Sequence, residues 1–302
     1  MQDSGKKGFS RGDYLRWWHG LANILYIIGM HAGLILWLWY GRDVLPYPYF
    51  LAVSILGALV HQRILSEWFH EAIHWNIVSN KKWNDRLANV LTGPFNGVRI
   101  KNARTKHFYH HRVESFFMDD DPDTCAAAVI NKRELLLGLL RDVSGMTALE
   151  AFFSVSANDL SKSKESMFIG IFWLAYLLVI HCSLFYLTVS AGYYDIYPIY
   201  FVTLISLYPI ANRLRLYLQH ATVREDGTLL IGGSKVSRTY SGGLFSQIFI
   251  QSPMIMYHHE HHAFPVLPYR ALRAMTMARP SSDVNIHGKH PIQLLTKLIT
   301  GF

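Results

Sequence analysis

The chain has 302 residues, 51% apolar and 14% aromatic but only 17% charged, a balance that is unusual for a soluble domain and invites a membrane reading. Its two cysteines, Cys125 and Cys182, lie far apart in no metal spacing and argue against a disulfide framework. The formal net charge of +8 suits anionic lipid headgroups or an acidic carrier or redox partner, follows as readily from membrane topology alone, and gives no reason to expect a nucleic-acid partner.

The start, MQDSGKKGFSRGDYLRWW, lacks the apolar core and small-residue cleavage site of a signal peptide. Residues 21–40 then carry no formal charge and are predicted to cross a bilayer, which takes ~20 residues for a ~30 Å core. Residues 47–69 begin apolar and turn polar at His61, Gln62 and Arg63. Residues 167–191 are again uncharged, and 197–218 repeat the polar ending at Asn212, Arg213 and Arg215. The second and fourth runs also read as amphipathic soluble helices, but each pairs with a clean span. The expected fold is all-α and integral to the membrane: one domain over 1–302, with transmembrane helices near 21–40, 47–69, 167–191 and 197–218 in two hairpins. Segments 75–166 and 219–302 are expected to form a cytosolic helical cap. Residues 131–140 look helical within it, and GTLLIGGSK at 227–235 reads as a turn or short hairpin, without the glycine spacing of a nucleotide loop.

Four crossings place residues 1–20, 75–166 and 219–302 on one side. Those regions, with Arg213 and Arg215 at their edge, hold 27 of the 29 Lys and Arg, which puts both termini in the cytoplasm.

The sixteen histidines are not scattered. His70 and His74 in HEAIH are spaced i, i+4, which on a helix spells a zinc-protease signature with Glu71 as general base. His107, His110 and His111 in KHFYHHR are spaced i, i+3, i+4, and His258, His261 and His262 in YHHEHHAFP repeat that spacing. Each set shares one helical face, while His259 lies about 100° round from His258. Counting ~1.5 Å per residue, His70 and His74 lie ~32–38 Å along the second predicted helix and His220 ~35 Å along the fourth. All four positions therefore converge at one cytoplasmic membrane surface. A single zinc takes three or four protein ligands, so nine imidazoles fit two metals instead. Imidazole suits Fe, Cu, Zn and Ni, and spacing alone does not choose among them. His19, His31, His61, His181, His287 and His290 are expected to be hydrogen-bonded packing residues.

HEAIH, HFYHH and HHEHH, in that order and with two apolar spans between the second and third, resemble the three histidine boxes of the integral-membrane fatty-acid desaturase-like superfamily. The last box sits in YHHEHHAFPVLPYRAL, and SRT at 237–239 and DPD at 121–123 also look familial; the resemblance covers residues 50–280. It implies a mushroom-like four-helix bundle with a cytosolic cap holding a non-haem di-iron site. The implied ligands are His70, His74, His107, His110, His111, His258, His261 and His262, with His220 matching by position alone. It further implies O2 as co-substrate and an acyl or other lipidic substrate, on a thioester, an acyl carrier or a membrane lipid. Desaturation leads, with hydroxylation, ketolation and acetylene formation as alternatives. No fused haem domain is visible, so electrons are expected from a separate ferredoxin or reductase system. The first box has three intervening residues rather than four, and the third begins with His258 rather than the Gln of front-end desaturases.

Ligating imidazoles usually pass their other N–H to a carboxylate or carbonyl. Glu67, Glu71 and Glu260 lead that role, with Glu114, Asp120, Asp121 and Asp123 as further candidates. Arg104, Lys106, Arg112 and Arg238 fit an acidic headgroup or a plain basic face equally well. Two rivals remain at this point: an intramembrane zinc protease using His70, His74 and Glu71, and a metal transport or sensor protein.

Overall fold

The computed structural model describes residues 9–114, 116, 118, 119, 121, 123, 124, 132–150, 164–220, 222, 223, 229, 230, 237–239 and 256–278. After a short helix α1 (Arg11–Tyr14), capped by the Ser10 side chain, two long helices form a hairpin: α2 (Trp17–Val44) and α3 (Tyr47–Ile73). Pro46 and Pro48 make the joint, since a proline in the first helical turn costs no intrahelical hydrogen bond. A third long helix, α8 (Lys164–Ser190), comes later in the chain. Among the described residues three helices, Trp17–Val44, Tyr47–Ile73 and Met167–Ser190, are long and apolar enough to cross a membrane. Their outward side chains, such as Leu25, Leu36, Phe172 and Leu178, are exposed and apolar, the pattern of helices that face hydrocarbon.

The predicted run at 197–218 is built differently. It begins as α9 (Ile196–Val202), passes through a π-helical turn at Thr203–Leu207, and continues as α10 (Tyr208–His220). It packs on α3 and α8, and a π turn of this kind is a frequent mark of a functional stretch.

Between α3 and α8 lie α4 (Lys81–Leu91), α5 (Gly93–Asn96), α6 (Ile100–His110) and α7 (Lys132–Val143), the last of which matches the helix expected over 131–140. Asn80 caps α4, and buried Asn84 ties α4 to the end of α3 by donating to Ala72 O at 2.9 Å and accepting from Ile77 N at 3.0 Å. The α5 turn folds back into the bundle. Gly93 permits this, because a Cβ there would stand 2.9 Å from the Trp173 ring. Strands β1 (Thr222–Val223) and β2 (Leu229–Leu230) pair antiparallel, which puts two residues of the run 227–235 in a short ladder; its residues 227, 228 and 231–235 lie outside the described part. The C-terminal described elements are α11 (His258–Ala263) and α12 (Tyr269–Met277).

The histidines expected to be packing residues have such partners where they are described. His31 Nε2 lies 2.9 Å from Leu91 O and its Nδ1 3.1 Å from His61 Nε2; the Tyr200 hydroxyl stands 3.4 Å from His61 Nδ1. His181 lies between the Tyr197 hydroxyl at 2.9 Å and Pro94 O at 3.2 Å. His19 accepts the Arg16 N–H at 3.1 Å. His287 and His290 fall outside the described residues.

Candidate metal centre

Four elements deliver the histidines of the boxes to one place. Helix α3 ends at Ile73 with His74 as its cap, and the chain leaves through Trp75 at φ 60°, a conformation held by the Arg104 guanidinium 4.2 Å and the Lys81 amine 4.4 Å from the indole ring. Arg104 also donates to Ile73 O at 2.7 Å and Ala72 O at 3.1 Å, capping the last carbonyls of α3, and pairs with Asp85 at 2.6 Å. The side chain that the sequence offered as a headgroup ligand is thus committed to locking α6 against the end of α3. That contact brings the first two boxes together. The third box, on α11, is fixed by residues 237–239: Thr239 bridges Tyr257, its hydroxyl donates to Glu260 and accepts the His259 N–H at 3.3 Å. His259 turns away from the cluster to Ser237, 3.3 Å off.

The remaining nitrogens face one another in two groups. His70, His74, His107 and His261 form one, and His110, His220 and His262 the other, with the nitrogens in each group within 4.8 Å of one another. His111 Nε2 extends the first group, 3.0 Å from His107 Nε2 and 3.1 Å from His261 Nε2. His258 Nε2 extends the second, 2.9 Å from His220 Nε2 and 3.1 Å from His262 Nε2. The groups adjoin, since the His111 and His262 rings are 4.5 Å apart. Two nitrogens bound at right angles to one metal at ~2.1 Å would stand ~3.0 Å apart, so this spacing fits shared metals.

Proton counting points the same way. His107 Nδ1 donates to Asp123 at 2.6 Å, and His110 Nδ1 donates to Asp121 at 2.9 Å. A neutral imidazole carries one N–H, so the Nε2 of each ring is a bare lone pair aimed into the cluster. His107 Nε2 meets His70 Nε2 at 3.0 Å as well as His111 Nε2. His74, buried to 1% exposure, has no hydrogen-bond partner for either ring nitrogen among the described residues. Such a set can hold metal cations, which bind the neutral ring.

Burial opposes a charge on several of the rings. Burial, then the neighbouring imidazoles, hold His258, His261 and His262 well below the usual histidine range. Burial lowers His107 too, against the pull of Asp123. For Asp123, burial alone would raise the carboxyl, but the hydrogen bond and charge of His107 outweigh it and the net shift is downward. Asp121 behaves likewise through His110, with help from Thr124 and the Asp123 N–H.

The carboxylates therefore divide. Asp121 and Asp123 reach box imidazoles. Glu67 pairs with Arg63 at 3.1 Å, Glu71 accepts the Tyr269 N–H at 3.2 Å, and Glu260 takes the Thr239 hydroxyl. Glu114 is exposed, and Asp120 lies outside the described residues. Residue spacing did not single out Arg213, buried in an ion pair with Asp142 at 2.6 Å; the signal was there in arginines at the end of an apolar run, where a buried one needs a carboxylate.

A cavity of about 850 Å³ reaches the cluster at His70, His107 and His220 and runs to Leu174, Leu177 and Phe201. An apolar hollow ending on a few convergent polar groups is the usual form of a ligand site.

The model of the fatty acid desaturase family matches residues 44–282, and the chain belongs to that family of membrane di-iron proteins acting on lipids. The two histidine groups and the long apolar helices are those of a metal-binding membrane oxidoreductase. No curated protein matches the chain.

Proposed function

We propose that this member of the fatty acid desaturase family uses two irons and O2 to remove hydrogen from an unactivated C–H bond of an acyl chain or related lipid, giving an alkene. The observation that carries the reading is the meeting of nine imidazoles, from α3, α6, α10 and α11, at the end of an apolar cavity. One iron is assigned to His70, His74, His107, His111 and His261, and the other to His110, His220, His258 and His262.

A di-iron pair held there supplies the O2-derived oxidising power that a saturated C–H bond requires and that no side chain offers. The chain's own residues do the positioning. Asp123 and Asp121 take the Nδ1 protons of His107 and His110 and so aim the opposite nitrogens inward. Apolar walls from α8, α9 and the π turn, including Leu174, Leu177 and Leu204, hold the chain of the substrate beside the centre and exclude water. Four crossings, with α9 to α10 as the fourth, put both termini and the centre on the cytoplasmic side of a single-domain protein capped by segments 75–166 and 219–302. Electrons come from a separate ferredoxin or reductase, for which the basic cytoplasmic face is electrostatically suited.

The protease reading asks Glu71 to hold a water, whereas its carboxylate faces the Tyr269 N–H and two further boxes crowd His70 and His74. Metal analysis of the purified protein is expected to give two irons per chain; a single zinc overturns the proposal. Expression with a reductase system, followed by mass spectrometry of lipids, is expected to show a loss of two mass units, and a gain of sixteen would make the enzyme a hydroxylase.

A further inference from the structure

Helix α7 belongs to a segment that the sequence assigns to the cytosol, yet its outer face is made for hydrocarbon. Leu136, Leu137, Leu140 and Val143 share one side of it, and all are about half exposed, from 48% to 58%. A helix bathed in water carries charge on its free side. Met146 and Leu149 extend the exposed apolar strip beyond the helix end; Arg133 stands exposed on this face at the first turn of α7, and Arg141 and Glu150 at the margin are paired with each other.

The inner face of α7 packs on the π turn and on α10. Arg213 donates to both Asp142 oxygens, at 2.6 and 3.0 Å, and Gly138 lets the helix lie close, since a Cβ there would be 3.1 Å from the Arg213 guanidinium. Gly145, at φ +79°, then sets the chain against Ile205. At ~1.5 Å per residue, Ile205 stands ~14 Å along from Ile196, near the middle of a ~30 Å core. The element from Lys132 to Glu150 thus descends from the level of Arg213 into the depth of the bundle.

This descent meets the cavity. Asp142, Thr147, Ala148 and Leu149 line one wall, and Leu178 and Phe201 line the wall across it. Leu149, Leu178 and Phe201 line the cavity and are also exposed, which joins the cavity to the exposed apolar side chains of α8, α9 and the turn after α7. The geometry points to sideways loading: α7 and the turn through Leu149 lie in the cytoplasmic leaflet, and a bilayer-dissolved acyl lipid passes between them and α8 into the cavity. This assignment rests on the lipid-oxidising reading and narrows its substrate class to membrane lipids over thioesters on soluble carriers.

The test uses the full chain in liposomes containing phosphatidylcholine with a diazirine on its acyl chain. Photolysis is expected to label Leu140 on the outer face of α7 and Leu174 inside the cavity. Ala148→Trp, which fills the mouth, is expected to cut labelling inside the cavity severalfold while leaving the lipid-facing Phe172 unchanged. Unchanged cavity labelling in that variant overturns the proposal. A second measurement covers a poorly folding variant. With Cys125 and Cys182 replaced by Ser, Leu140→Cys carrying bimane is expected to be quenched by brominated phosphatidylcholine as strongly as Phe172→Cys; quenching by aqueous iodide instead overturns it. Neither readout involves iron or turnover, so failure here leaves the oxidase reading standing, and loss of that reading leaves this one measurable.

Discussion

Histidines occupy two regions of this molecule in opposite ways. Inside the bundle, His31, His61 and His181 hand every ring nitrogen to a carbonyl, a hydroxyl or another ring. Leu91 O can only accept, so His31 Nε2 carries the proton, His61 Nε2–H donates to His31 Nδ1, and the Tyr200 O–H donates to His61. In the histidine cluster, nitrogens confront nitrogens at 2.9–3.1 Å, and the Nδ1–H groups of His107 and His110 already donate to aspartates. The same side chain is complete in one region and offers lone pairs fit to hold a cation in the other. What separates the two is the supply of oxygen acceptors, and that makes the contrast testable.

The strongest break comes at His261. His261→Ala removes a nitrogen from the crowded first group, and we expect loss of product together with loss of bound iron, read by mass spectrometry and metal analysis. An active, iron-loaded variant would dissolve the distinction. Next is the ion pair of Arg213 and Asp142, which sits in neither region. Asp142→Ala takes the carboxylate from a buried guanidinium and is expected to cost about 3–5 kcal/mol of stability, read as a fall in detergent unfolding midpoint with the iron signature of the folded fraction unchanged. Asp123→Asn acts more gently, since the ring of His107 keeps a hydrogen-bond partner but loses its ionised one. The expected result is roughly a 10–100-fold weaker hold on iron, measured by competition with a chelator.

How much of this was legible beforehand follows the same division. The boxes were readable because side chains three and four apart on a helix must share a face, and His259 was readable as the residue that turns away. Three predicted spans correspond to helices long and apolar enough to cross a membrane; Trp17–Val44 and Tyr47–Ile73 run past the predicted bounds, and Met167–Ser190 ends one residue short of them. The partners of the imidazoles were less accessible. Glu71 sits inside a box yet turns to Tyr269, 198 positions away, while Asp121 and Asp123 arrive from the stretch after α6. Sequence distance within a helix says where a side chain points; it does not say which distant backbone will meet it. Arg104 and the π turn at Thr203–Leu207 were hidden for the same reason, since both depend on packing between elements.

The smallest effects probe the complete region. His61→Phe keeps the ring volume but strands His31 Nδ1 and the Tyr200 hydroxyl in the bundle, with an expected loss of about 1–3 kcal/mol and unchanged iron content. Tyr200→Phe removes only the outermost link of that chain, a 3.4 Å contact. Its loss is expected to cost about 0.5–1.5 kcal/mol at most, because His61 Nδ1 alone is left without a donor. The order matters more than either size. If the hydrogen bonds run from Tyr200 through His61 to His31 and end on Leu91 O, the cost must grow toward the carbonyl, and unfolding midpoints of the two variants measure that gradient. Equal losses would mean that the rings merely fill space, and a loss of iron in either would join the two regions into one.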